Sequence, residues 1–219
     1  MDLLEFARGP ALQWSLMICL FGLFWRLTGI MFQPRKPNPD YSQARHTDTR
    51  AGAFSLIISR MWPKAEFQSG SAASTGTAYV FHIGLFIVVF FAAPHIEFFR
   101  DLFGFSWPNL PNTVVTVAGA LSLLSLVAML FMRLGSPVKR LLSNFDDYFS
   151  WLVTTLPVVT GLAATAHVGG RYETVLAWHI LTVELLLIWL PFGKLMHMFL
   201  VFVSRGTTGA AFTRKGASL

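Results

Sequence analysis

The chain has 219 residues, 54% of them hydrophobic and 13% charged, whereas soluble domains carry about 25% charged residues. That composition excludes an ordinary soluble domain and predicts an all-α integral membrane protein. The net charge of +6 does not indicate a nucleic-acid partner, because the basic residues fall in loops between apolar runs and read as topology signals.

The N-terminus, MDLLEFARGPALQWSL, carries acids where a signal peptide needs bases. The first apolar run, residues 10–32, is therefore expected to remain as a membrane span. Cys19 is the chain's single cysteine, which excludes an intrachain disulfide and a multi-cysteine metal site. A polar, proline-bearing loop follows, QPRKPNPDYSQARHTDTR, and His46 within it reads as a solvated surface histidine. FSLIISRMW, residues 54–62, is too short to cross. It reads either as an interfacial helix beside Arg60 and Lys64 or as a plain amphipathic connector.

SGSAASTG reads as a flexible approach to the second span, residues 77–98. RDLFGFSWPNLPN is a turn-rich loop with two prolines, and the third span covers residues 113–132. Asn144 or Asp146 is placed to cap the fourth span, residues 148–166. The fifth span, residues 175–204, is read as one helix kinked but not broken at Pro191. A short basic tail closes a single membrane domain over residues 1–219. Arginine and lysine concentrate after spans one, three and five, which predicts an outside N-terminus and a cytoplasmic C-terminus.

Intramembrane ionisable groups are costly and mark functional sites. His179 and His197 stand eighteen residues apart. On one regular helix that is about five turns, so both imidazoles would face one way, roughly 27 Å apart. With alternating spans, the depths pair His82 with His197 on the inner side and His95 with His179 on the outer. Matched imidazoles on antiparallel helices are how a bundle clamps haem through two axial ligands. His82 and His95 are thirteen residues apart, so a regular helix would turn them to nearly opposite faces. Two readings stand. Either Pro94 breaks the helix and re-aims His95, or His95 is a capping or quinone-site residue and His167 partners His179.

Gly84 and Gly161 would admit a planar macrocycle or serve helix contact. Lys194 would pair with a haem propionate or snorkel to the interface. Glu184 would relay protons or make a satisfied hydrogen bond. Glu97, Arg100 and Asp101, interleaved with Phe98, Phe99, Phe103 and Trp107, would serve a quinone headgroup; the alternative is an interfacial belt.

LPFGKLMHMF, with a histidine eighteen residues before His197, resembles the last span of the gamma subunit of respiratory nitrate reductase. FHIG, residues 81–84, resembles the start of that family's second span. The resemblance covers spans two to five. It implies five spans, two haems b, a quinone as substrate on the outer side, and electron transfer with a cytoplasmic iron–sulfur partner. It implies His82, His179 and His197 as axial ligands. The family's fourth ligand falls at Ala92 here, where His95 is the substitute. APHIEFFRDLFGFSWPNLP is more similar to cytochromes b that serve heterodisulfide-reductase-like iron–sulfur proteins, so no terminal substrate is implied. The reading is a haem b membrane subunit of a multi-subunit oxidoreductase in a bacterial or archaeal cytoplasmic membrane. The competitors are a haem-free anchor subunit and a proton-conducting transporter.

Overall fold

A computed structural model describes residues 2–32 and 48–217; His46, Arg35, Lys36 and Arg45 lie outside the described residues. All regular structure among them is helical. In chain order the helices are α1 (Leu3–Met31), α2 (Arg50–Ser59), α3 (Ala65–Phe91), α4 (Ala93–Phe103), α5 (Asn112–Gly135), α6 (Pro137–Leu141), α7 (Phe145–Ala166), α8 (Tyr172–Trp189) and α9 (His197–Lys215). α1 contains a π turn at Ala7–Ala11 that holds Pro10, a residue with no N–H to give to a regular ladder. Five of these helices, α1, α3, α5, α7 and α8, are long and apolar enough to cross a membrane. The protein is a multi-pass membrane protein.

The five spans pack as a row. α3 lies on α5, α5 on α7, α7 on α8, and α8 on α1. Small and hydroxyl-bearing residues line these contacts, among them Ser15, Gly22, Ala118, Ser122 and Ala177. That is the composition that lets helix backbones approach in lipid, where no hydrophobic force drives association. Gly84 belongs to this set, because a Cβ there would overlap Ser122 and stand 2.7 Å from the Ala118 carbonyl. It serves the α3–α5 contact and not a macrocycle. The ridge Trp14, Met17, Phe21, Phe24 and Trp25 stays exposed on α1, as a lipid-facing surface does.

Two span predictions are corrected. SGSAASTG is helical and extends the second span backwards to Ala65. The fifth span is not one kinked helix: α8 ends at Trp189, and a 3-10 turn (Lys194–Met196) leads into a separate α9. Pro191 has no N–H and is buried against Gly22 of α1. Gly193 then runs extended, with its N–H donating to the Trp189 carbonyl. His179 and His197 therefore sit on different helices, and the five-turn argument for their common face does not apply. The segment at residues 54–62 lies in and just after α2, which packs along α9 through Gly52, Leu56 and Gly209.

Candidate functional site

α3 and α8 share no packed interface, yet imidazoles from the two sides meet at two levels. At the first, His82 of α3 and His197 at the start of α9 have ring centroids 6.2 Å apart, with planes at 77°. At the second, His95 of α4 and His179 of α8 are 6.1 Å apart and nearly parallel, at 11°. Each pair lines a cavity, of about 380 Å³ and about 350 Å³ respectively.

His95 reaches its place through a break in the chain. Ala92 is extended (φ −74°, ψ 130°), ending α3 and starting α4 with Pro94 in its first turn. Pro94 has no N–H to lose there. The break re-aims His95 toward His179. His167 does not partner His179. It caps α7 in the left-handed region (φ 54°), is exposed, and stacks on Tyr172 at 5.3 Å, although both residues line the same cavity.

All four paired imidazoles have Nδ1 engaged. His82 donates to the Ala78 carbonyl (2.7 Å), His95 to Val88 (2.8 Å) and His197 to Lys194 (2.8 Å). A carbonyl only accepts, so in these three Nδ1 carries a proton, and in the neutral ring Nε2 keeps its lone pair. His179 Nδ1 stands 3.2 Å from the Thr160 hydroxyl, which also contacts Thr182. Gly161 makes room for this ring: a Cβ there would stand 3.0 Å from His179 Cε1. Its role is to seat a histidine. Three imidazoles, those of His82, His95 and His197, therefore offer Nε2 as an electron-pair donor, while at His179 the Thr160 hydroxyl is compatible with either tautomer. Among the described residues no three His, Cys, Asp or Glu side chains gather as a metal group; the histidines meet in pairs.

The first cavity is also lined by Arg133, Lys139, Lys194 and Asp147. Lys194 neither reaches out alone nor stands free: its ammonium pairs with Asp147, which also binds Arg133 at 3.1 Å. Asp147 closes a capping box with Asn144 at the start of α7. The sequence offers Asn144 or Asp146 as the cap of this helix and Arg133 as a topology signal; Asn144 is the cap. The convergence of Asp146 and Asp147 on Lys194 joins residues 48 and 47 positions apart, a separation that leaves no local pattern.

Glu97, Arg100 and Asp101 are all exposed, and none lines the second cavity; Arg100 pairs with its neighbour Asp101 at 3.2 Å. The break at Ala92 sets the rotation of α4, burying Ile96 and turning the charged edge outward. The aromatics there stack on one another, Phe90 on Phe99 and Phe99 on Trp107, and the Trp107 indole donates to the Phe90 carbonyl. Besides His95 and His179, the polar groups that do line the cavity are His167, Tyr172, Asn112, Thr116, Ser122 and Thr165. Glu184 lines neither cavity; it is 4% exposed, with Oε1 lacking a hydrogen-bond partner among the described residues.

No family model and no solved structure matches the chain. It is 33% identical to a protein of Nitratidesulfovibrio vulgaris strain Hildenborough over 227 aligned positions, which cover 97% of this chain and 96% of that protein. With that identity along nearly all of both chains, this membrane protein belongs to the same family as the Nitratidesulfovibrio vulgaris protein.

Proposed function

We propose that this chain is the membrane cytochrome b subunit of a multi-subunit oxidoreductase, binding two haems b and carrying electrons between the quinone pool and a cytoplasmic iron–sulfur partner. The observation that carries the reading is the spacing of the imidazoles. Two imidazoles sharing one metal ion, each with a metal–nitrogen bond of about 2.0 Å and roughly 1.1 Å from nitrogen to ring centre, would have ring centres at most about 6.2 Å apart. The two pairs stand at 6.2 and 6.1 Å. The engaged Nδ1 atoms add to the fit, since metal-bound histidines commonly spend their other nitrogen on a carbonyl or similar acceptor.

His82 and His197 would hold one haem, and His95 and His179 the other. Charge supports the first assignment: Arg133, Lys139 and Lys194 exceed Asp147 by two positive charges around a cavity that would take a macrocycle with two carboxylates. A bound haem b supplies one-electron redox chemistry, while the protein supplies ligands, burial and electrostatics. A quinone headgroup would sit in the second cavity. There His167 and Tyr172, at the exposed rim, exchange protons in the role first sought in Glu97 and Asp101. Orientation follows from charge: Arg60, Lys64, Arg133, Arg140, Arg205 and Lys215 stand toward the His197 end, against Arg8, Arg100 and Arg171 at the other. The His197 end is then cytoplasmic, and the partner would dock there.

The test is a reduced-minus-oxidised absorption spectrum with haem quantification on the purified protein. The expected result is b-type bands and two haems per chain. His82→Ala and His197→Ala should each lower the count to one, and the double variant should lower it no further. A parental chain without haem would instead favour the anchor subunit.

A further inference from the structure

His197 owes its place to a short turn, and that turn is gripped from α7. Asp146 Oδ1 accepts from the Lys194 backbone N–H (3.2 Å) and from the Ser150 hydroxyl (2.7 Å). The Trp189 indole in turn donates to Ser150 at 2.9 Å. Gly193 passes beneath this assembly: a Cβ there would overlap the Trp189 indole and come within 2.9 Å of Asp146 Oδ1. Asp147 takes the other end of the same lysine, pairing with its ammonium group and with Arg133. The Lys194 carbonyl then receives the proton on His197 Nδ1. Backbone N–H, carbonyl and side chain of one residue are thus all committed.

We propose that Asp146 and Asp147 are positioning residues for His197: they hold Lys194 at both ends so that its carbonyl fixes the Nδ1–H tautomer and leaves Nε2 as the free donor facing the cavity shared with His82. Asp146 sets the backbone and Asp147 restrains the side chain. Both lie on α7, a helix that contributes no histidine to either pair. The benefit to a bound metal rests on the haem reading above; the tautomer and orientation of His197 do not.

The experiment uses the full chain in lipid bilayers with two readouts. Nitrogen NMR of labelled histidine reports which nitrogen of His197 carries the proton. Low-spin electron paramagnetic resonance and carbon monoxide binding report whether the haem at this level keeps both axial ligands. In Asp146→Ala the His197 signal should become a tautomer mixture, carbon monoxide should bind, and haem retention should weaken roughly 10- to 100-fold. Asp146→Asn, which keeps an acceptor oxygen, should restore the parental tautomer. Gly193→Ala, which pushes a methyl into the clamp, should reproduce Asp146→Ala even if that variant does not insert. A haem-bearing Asp146→Ala chain with the parental tautomer and low-spin signal overturns the clamp alone. A parental chain without haem, whose Nδ1–H signal is still lost in Asp146→Ala, overturns the haem reading and leaves the clamp standing.

Discussion

Each of the paired histidines lies where a neighbouring oxygen decides how its ring is used. For His82 that oxygen is on its own helix, one turn back; for His95 it is the Val88 carbonyl across the Ala92 break; for His179 it is a hydroxyl from α7. That His82 meets His197 and His95 meets His179 follows from spacing along alternating spans and was legible in the sequence. Their hydrogen-bond partners, several on other elements, were not. Gly161 offers a direct probe of the second level. Gly161→Val forces branched carbon against the His179 ring and should cost about 1–3 kcal/mol. If the chain binds two haems as proposed, haem content should drop from two to one, with the one at the His82–His197 level retained. His167→Ala should keep both haems, because His167 stacks on Tyr172 and not on His179, while slowing quinol-driven reduction in stopped-flow measurements. Loss of a haem in His167→Ala would move the second ligand away from His95.

At the scale of elements, the breaks at Ala92 and Pro191 do most to bring the histidines together. A proline inside an apolar run reads as a kink, because membrane helices re-satisfy the freed carbonyls. What turns Pro191 into a terminus is the Gly193 backbone under Trp189 and the acceptor at Asp146, neither of which the local sequence reveals. The same break releases α9 to pair with α2. There a Cβ on Gly209 would overlap the Gly52 carbonyl, and one on Gly52 would overlap Thr213. Gly209→Val should therefore separate α2 from α9, at about 1–3 kcal/mol. Limited proteolysis should then cut near α2 sooner than in the parental chain. Since α9 begins at His197, the variant should also disturb the first histidine level more than the second. Equal protease resistance would show that the pair is held by other contacts.

For the molecule as a whole, charge asymmetry makes a topology prediction. Reporter fusions after Lys215 should be active only in the cytoplasm, and a tag placed before Leu3 should be reachable from outside. If the proposed iron–sulfur partner docks at the His197 end, cross-links should map to Arg60, Lys64, Arg133 to Asn144 and Arg205, not to Arg100 or Arg171. The reverse pattern would overturn the proposed docking at the His197 end. The row arrangement has a further consequence, for biosynthesis. Helices α3, α5, α7 and α8 each find a packing neighbour within the next span or the one before, but α1 packs only on α8 among the described spans. The span α1 must therefore wait for α8. About 140 residues separate the end of α1 from the start of α8, and at roughly 5–20 residues per second that is a delay of about 7 to 28 s. During it, the stripe of Ser15, Cys19 and Gly22 faces lipid or the insertion machinery. A chain truncated before α8 strands α1 permanently, so nascent chains arrested there should present this helix to membrane quality-control proteases while the α3–α5–α7 row is already packed.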